Sequence, residues 1–280
     1  MPRRVAFAGD WHGNTMWALH CLRELAAAGI DRIYHVGDFG LWPGESGAAF
    51  LRKVDAHATR YGITIDVTLG NHDDYDRFAQ LRADEDGWLR TKHTPALRFA
   101  PRGHTWEDHG VRFASLGGAG SIDRNLRTAG RDWWPDEAIG RDDVRTLAAN
   151  VTARGWDRVD VLITHEAPAG LTRRGFAVMP RWATPDVQQY CWEQRVRLRH
   201  ATDLVMPHTL VHGHWHEWHH DELHGVGPGD SGAEYVTDVF SLSADGDVRN
   251  LITAELIPYV GVTDPQLPLI SSGRAARRTA

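Results

Sequence analysis

Short apolar runs recur along this chain, each closed by a turn residue or a polar cluster, and together they predict strands. They are RVAFAG (4–9), RIYHVG (32–37), TIDVTLG (64–70), RFASLGG (112–118), VDVLIT (159–164) and TLVHG (209–213). Segments of helical period separate the early ones. NTMWALHCLRELAAAG spaces its apolar residues at helical intervals and ends at Gly29, and GAAFLRKVDAHATRYG behaves alike and ends at Gly62. Strand–helix–strand alternation predicts an α/β sheet with parallel strands. Further on, TPALRFAPRGHTWEDHGVRFASLGG and YVTDVFSLSADGDVRNLITAEL read as antiparallel hairpins turning at Asp108–Gly110 and Asp245–Gly246, which predicts a second, mixed sheet. From VTDPQLPLISSGRAARRTA onward the periodicity is lost. The simplest parse is one domain over residues 1–260 and a flexible tail over residues 261–280.

Composition narrows this only modestly. At 280 residues the chain can bury a full core, and 42% hydrophobic with 24% charged residues argues against wholesale disorder. A formal net charge of −6 argues against a generic nucleic-acid binder, so no stable nucleic-acid complex is expected. It does not exclude an enzyme that grips one phosphate locally. Cys21 and Cys191 lack CxxC spacing and read as buried free thiols of a reducing compartment. The opening MPRRVAFAGD has too short an apolar run for a signal peptide, and no stretch approaches a membrane span. The expectation is a cytoplasmic protein with no membrane partner.

The chemistry lies just past the strands. The first is followed by Asp10-Trp11-His12, the second by Asp38, the third by Asn71-His72-Asp73, VDVLIT by His165, and TLVHG by His214-Trp215-His216. In an open α/β sheet such C-terminal ends share the edge where ligand sites form. In D-x-H and H-x-H an extended backbone would send residues i and i+2 to one side, so Asp10 with His12, and His214 with His216, are expected to converge. Trp11 and Trp215 would then point away, into supporting core. The stretch LVHGHWHEWHH, Leu210 to His220, holds five histidines. Of these His212 is read as structural or supporting, and His219 and His220 as solvated on the next strand. Mixed imidazole and carboxylate donors suit Mn²⁺, Fe or Zn²⁺. The donors are too many for one tetrahedral zinc, and a two-metal site with a bridging carboxylate is the natural count. Two such cations can make a hydroxide from bridging water at neutral pH and clamp an in-line displacement, so no Ser or Cys nucleophile is needed.

In order, GDWHG, GDFG, GNHD, THEAP and GHWH resemble the signature of the calcineurin-like metallophosphoesterases. The likeness runs from residue 4 to about residue 257. It implies a four-layer α/β/β/α sandwich of two mixed sheets flanked by helices, with a dinuclear metal site at one sheet edge. Carried over by position, Asp10, His12 and His216 would hold the first metal, Asn71, His165 and His214 the second, and Asp38 would bridge. His72 matches a non-ligand histidine that protonates the leaving oxygen or stabilises the transition state, and Asp73 would orient its imidazole. The cofactor expectation is two divalent ions, manganese first, with iron, zinc or nickel as alternatives.

Substrate is less legible. The family's protein phosphatases carry GDxVDRG and GNHE, whereas Asp38 here is followed by FGLWPG and the other block reads GNHD. The DNA-end nucleases add a capping domain for which little chain remains. A phosphodiester substrate is therefore expected, a small nucleotide or cyclic-nucleotide ester, with monoesters secondary. The alternatives are a phosphomonoesterase or protein phosphatase, or a non-catalytic partner-binding scaffold on the same fold. In LGGAGSIDRNLRTAGRDWWPDE, Arg124, Arg127 and Arg131 either reach a phosphate or pair with Asp123, Asp132 and Asp136. Arg173, Arg174 and Arg181, in the long Gly- and Pro-rich loop after His165, are further cationic candidates. Trp42, Trp133, Trp134 and Trp182 either stack on a base or pack against the sheets.

Overall fold

A computed structural model describes residues 3–171, 180, 182–228 and 232–266. The first half runs β1 (Arg3–Ala8), α1 (Thr15–Ala27), β2 (Arg32–His35), α2 (Gly44–Tyr61), β3 (Thr64–Val67), the single turn α3 (Tyr75–Phe78), the short β4 (Arg82–Ala83) and β5 (Leu89–Arg90), and β6 (Leu97–Phe99). Then come β7 (Thr105–Asp108), β8 (Val111–Leu116), α4 (Arg141–Ala153), β9 (Val161–Thr164), α5 (Pro185–Val205) and β10 (Thr209–His212). The chain closes with β11 (His219–Val226), β12 (Glu234–Ser241), β13 (Leu251–Ile257) and β14 (Gly261–Gln266).

Two mixed sheets result. The larger has the order β14-β13-β1-β2-β3-β6-β5-β4 and the smaller β11-β12-β10-β9-β8-β7. In the larger, β1, β2, β3 and β6 run parallel; in the smaller, β8, β9, β10 and β12 do. Strand alternation fixes the layering. Val5 and Phe7 of β1, Val111 and Phe113 of β8, Val161 and Ile163 of β9 and Val211 of β10 share one buried cluster, so the sheets pack face to face. Ala6 and Ala8 point oppositely, into a cluster with Leu22 and Leu25 of α1 and Phe50 and Val54 of α2. Leu162 and Leu210 likewise meet Leu147 of α4 and Leu198 of α5. Burial on both faces is why the parallel strands read as unbroken apolar runs. The layers are helix, sheet, sheet, helix.

The helix limits follow from their caps. Asn14 accepts the Trp17 N–H at 3.1 Å to start α1, and Gly62 ends α2 at φ 69°. Asp66 of β3 is buried and held by Arg98 at 2.6 Å and Arg32 at 3.1 Å. Cys21 and Cys191 are buried free thiols. No described helix is long and apolar enough to cross a membrane.

Two expectations change. The hairpin at Asp108–Gly110 forms, as β7 and β8, but the one at Asp245–Gly246 does not. Instead β12 pairs with β10 and β11 while β13 pairs with β1, so the link between them crosses from one sheet to the other. Asn250 pins that crossing, accepting the Trp11 and Trp17 indole N–H groups at 3.0 and 2.8 Å and donating to Gly9 and Ser243. The second change is at residue 261: Gly261–Gln266 pairs antiparallel with β13, so the first residues assigned to a tail form an edge strand. The tail beyond Gln266, like Arg173, Arg174 and Arg181, lies outside the described residues.

Candidate metal centre

Five parallel strands, β1, β2 and β3 in one sheet and β9 and β10 in the other, end at the same place. Past those ends, Asp10, His12, Asp38 and His216 each present a donor atom, all within 4.8 Å of one another. Asp38 sits at the middle. Its Oδ2 lies 3.3 Å from His12 Nε2, 3.3 Å from His165 Nε2 and 3.9 Å from His72 Nε2, while its Oδ1 accepts the His72 backbone N–H at 2.8 Å. His216 Nε2 is 3.3 Å from Asp10 Oδ1. On the other side, Asn71 Oδ1 lies 3.1 Å from His165 Nε2, and the His165 and His214 rings are 5.1 Å apart. All seven sequence-expected ligands therefore converge.

They do not converge by strand alternation, however. Asp10, His12, Asp38, His214 and His216 have φ of 48°, 45°, 51°, 69° and 54°, left-handed backbone rather than extended strand. Each such non-glycine residue costs on the order of 1 kcal/mol or more, and strain of this kind concentrates at functional sites. β1, β2 and β10 stop two or more residues short of these residues, and the chain coils back to aim their side chains inward. The glycines before the ligands make room: a Cβ on Gly70 would collide with Asp38 Oδ1, and one on Gly213 with Asp10 Oδ2.

Electrostatics fit a cation site. Asp10 and Asp38 are almost wholly buried, and Asp38 Oδ2 has no hydrogen-bond partner. Burial opposes the charge on Asp38, but the His165 and His72 imidazoles hold its carboxyl well below the usual range. Burial likewise opposes charge on His12, yet the neighbouring Asp245 and Asp38 carboxylates lift its pKa to about 11. His165, for the same balance with Asp38, is lifted to about 9. Burial instead lowers His214, to about 4, and lowers His72 as well. Buried carboxylates demand positive charge beside them, and protons on imidazoles or divalent cations meet that demand.

Other residues fall differently. Asp73 does not orient His72: its Oδ1 accepts the N–H groups of Gly40 and Leu41, both at 3.0 Å, and its Oδ2 those of Gly70 at 2.9 Å and Phe39 at 3.3 Å. It faces inward and ties the loop after β2 to the loop after β3. His219 is buried rather than solvated, its ring 5.9 Å from that of the buried His212. His220 is exposed and stacks on Phe240. Trp11 is core, and Trp215 packs against the α4–α5 side. Arg124 reaches Asp186 at 3.2 Å and lies 4.1 Å over the Tyr190 ring. Arg127 lines the pocket beside His12 and His72, but Asp123 grips its guanidinium at 2.7 Å through both oxygens.

Several contributors gave no sequence signal. Asp245 lies 3.5 Å from His12 Nδ1 and accepts from Asn14 at 2.6 Å, although its turn context marked only a loop. Asn71 Nδ2 donates to Ser121 Oγ at 2.9 Å, which donates to Glu137 at 2.6 Å, which also accepts the Tyr190 hydroxyl at 2.8 Å. That chain fixes which end of the Asn71 amide faces the cluster. Glu166, buried beside His165, puts an unbonded oxygen 3.8 Å from His214 Nε2.

The sequence profile of the calcineurin-like phosphoesterases matches residues 3–218, which spans all seven converging residues. The chain belongs to that family. Calcineurin-like phosphoesterases use divalent ions in a dinuclear centre, and Asp10, His12, Asp38 and His216 form a group that could hold a metal ion. Among solved structures, this phosphoesterase is similar to a dimetal phosphatase from Danio rerio, at 11% identity over 91% of this chain and 93% of that chain, with a TM-score of 0.50. It is also similar to TT1561 of Thermus thermophilus, at 12% identity over 91% and 99%, with a TM-score of 0.49. The first likeness speaks to the fold alone, and the second adds no argument. No curated protein sequence matches.

Proposed function

We propose that this phosphoesterase hydrolyses phosphodiesters, with Asp10, His12 and His216 holding one divalent ion, Asn71, His165 and His214 a second, and Asp38 between them. The observation that carries this is Asp38: a buried carboxylate whose Oδ2 lacks a hydrogen bond yet has three imidazoles within 3.3 to 3.9 Å. An unsatisfied buried charge is costly unless something binds it, and the surrounding oxygen and nitrogen donors suit a transition metal such as manganese. When bound, the two ions would supply Lewis acidity toward the phosphoryl oxygens and a nucleophilic water at neutral pH. The chain's own groups do the rest. Left-handed turns hold the donors in place, and the Ser121–Glu137 chain keeps the Asn71 oxygen inward. His72 faces the same pocket as His12 and is placed to give a proton or a hydrogen bond to the leaving oxygen.

The preference for diesters rests on charge. A monoester dianion calls for fixed guanidinium groups beside the metals, because bidentate charge-assisted contacts are strong. Arg124 is engaged by Asp186 and Tyr190 and Arg127 is neutralised by Asp123, so of these three arginines Arg131 alone, exposed on the cavity wall, is left for a phosphate, and one guanidinium better suits a substrate of single charge at the metals. The test compares kcat/KM for bis(p-nitrophenyl) phosphate and p-nitrophenyl phosphate with Mn²⁺ at one pH. The two share a leaving group, so the ratio reports how the site treats the remaining oxygens. The diester should win; a clear monoester preference would end the diesterase reading.

A further inference from the structure

A cavity of about 430 Å³ opens beside the ligand cluster, with His12 and His72 on its inner side and Trp42, Trp134, Arg127 and Arg131 among its walls. That volume suits a small organic ligand rather than a bare phosphate. Its aromatic wall is rigid. The six-membered ring of Trp42 lies on Gly13, where an added Cβ would come within 2.8 Å of it, and Arg77 holds the Trp42 carbonyl at 2.7 Å. Trp134 is buried, with its indole N–H on Asp76 at 3.1 Å, so it serves as backing rather than as an open face.

The two arginines differ in kind. Arg127 is clamped by Asp123 and its third nitrogen donates to the Asp132 carbonyl at 3.1 Å, so it is spoken for. Arg131 is exposed at the cavity, and among the described residues its guanidinium makes no hydrogen bond or ion pair. The neighbouring Asp132 turns one oxygen onto the Thr128 N–H at 2.6 Å. The fold thus keeps a free guanidinium at the mouth of a pocket that already has a metal-ligating floor and a fixed aromatic wall.

Resting on the phosphoesterase reading above, we infer that this cavity selects nucleotide-type esters, seating a flat base on Trp42 and a second phosphate on Arg131 while the scissile phosphate sits at the metals. A fixed indole face recognises any base by stacking, and a guanidinium matches phosphate oxygens in pairs. Three probes separate the parts: adenosine 5′-(α,β-methylene)diphosphate, methylenediphosphonate and inorganic phosphate. Each is titrated calorimetrically into the Mn²⁺-loaded protein and into Trp42→Leu and Arg131→Gln. The adenosine compound should bind wild type about 10-fold or more tightly than methylenediphosphonate, and Trp42→Leu should erase that margin. Arg131→Gln, at an exposed position that threatens no packing, should weaken both two-phosphorus probes about 5-fold or more and leave inorganic phosphate within about 2-fold. Equal affinity of the first two probes for wild type would overturn the base site. Equal weakening of all three probes by Arg131→Gln, or of none, would overturn the second-phosphate site. Hydrolysis of bis(p-nitrophenyl) phosphate by wild type is measured alongside. Its absence would strike the catalytic reading, while the binding comparison still decides the cavity.

Discussion

Replacing Asp73 with Asn separates two roles for that residue. The carboxylate is fully buried and takes four backbone N–H groups, two on each oxygen. Asparagine keeps one oxygen, which can go on accepting from Gly40 and Leu41. Its NH₂ then faces the Gly70 and Phe39 N–H groups, donor against donor. Each buried N–H left without an acceptor costs roughly 1–3 kcal/mol, so the two together should cost about 2–6 kcal/mol. Domains of this kind have a total stability of roughly 5–15 kcal/mol, so the loss should be plain in urea unfolding. Catalysis should suffer only indirectly. The dependence of rate on leaving-group pKa, which reports His72, should keep its wild-type slope in the folded Asp73→Asn protein. A stability change below about 1 kcal/mol together with a loss on the order of 10²-fold confined to poor leaving groups would refute the structural role. It would restore Asp73 as the group that orients His72.

Other outcomes follow from buried charge. Asp66→Ala strips the shared carboxylate from Arg98 and Arg32 and should cost about 3–5 kcal/mol in chemical unfolding, with metal content of the folded protein unchanged. Burial raises the Glu137 carboxyl from 4.5 to about 6, despite its hydrogen bonds from Ser121. A folded-state pKa above the unfolded one favours folding at low pH, and that advantage fades as the pH climbs from about 4.5 through about 6. The loss is on the order of 2 kcal/mol. Glu137→Gln should flatten that part of the stability–pH curve, measured by unfolding between pH 4 and 7; an unchanged slope would remove Glu137 as its source.

The sequence made the framework legible because its strands are buried on both faces and its helices end at glycines such as Gly62. Ordered motifs at strand ends did the same for the ligand set, since Asp10, His12, Asp38, Asn71, His165, His214 and His216 all follow a strand. What it hid has physical causes. Local pattern cannot tell which sheet a strand joins, so β12 and β13 looked like neighbours although Asn250 sends them apart. Periodicity assumes regular backbone, so it implies extended chain at Asp10 and His214, where the structure has left-handed turns. Asp73 carried the right chemistry for a catalytic partner but faces the wrong way. Ser121, Glu137 and Asp245 act across long sequence separations from loops with no repeating pattern, and only the folded chain puts them beside Asn71 and His12.

The most direct test of the account is metal stoichiometry. Wild type and Asp38→Asn are equilibrated with Mn²⁺, dialysed and analysed for bound metal by elemental analysis, with turnover of bis(p-nitrophenyl) phosphate measured on the same samples. Wild type should hold two ions per chain and turn over, whereas Asp38→Asn should hold no more than one ion with turnover abolished. Two ions per chain and near-normal turnover in Asp38→Asn would contradict the account.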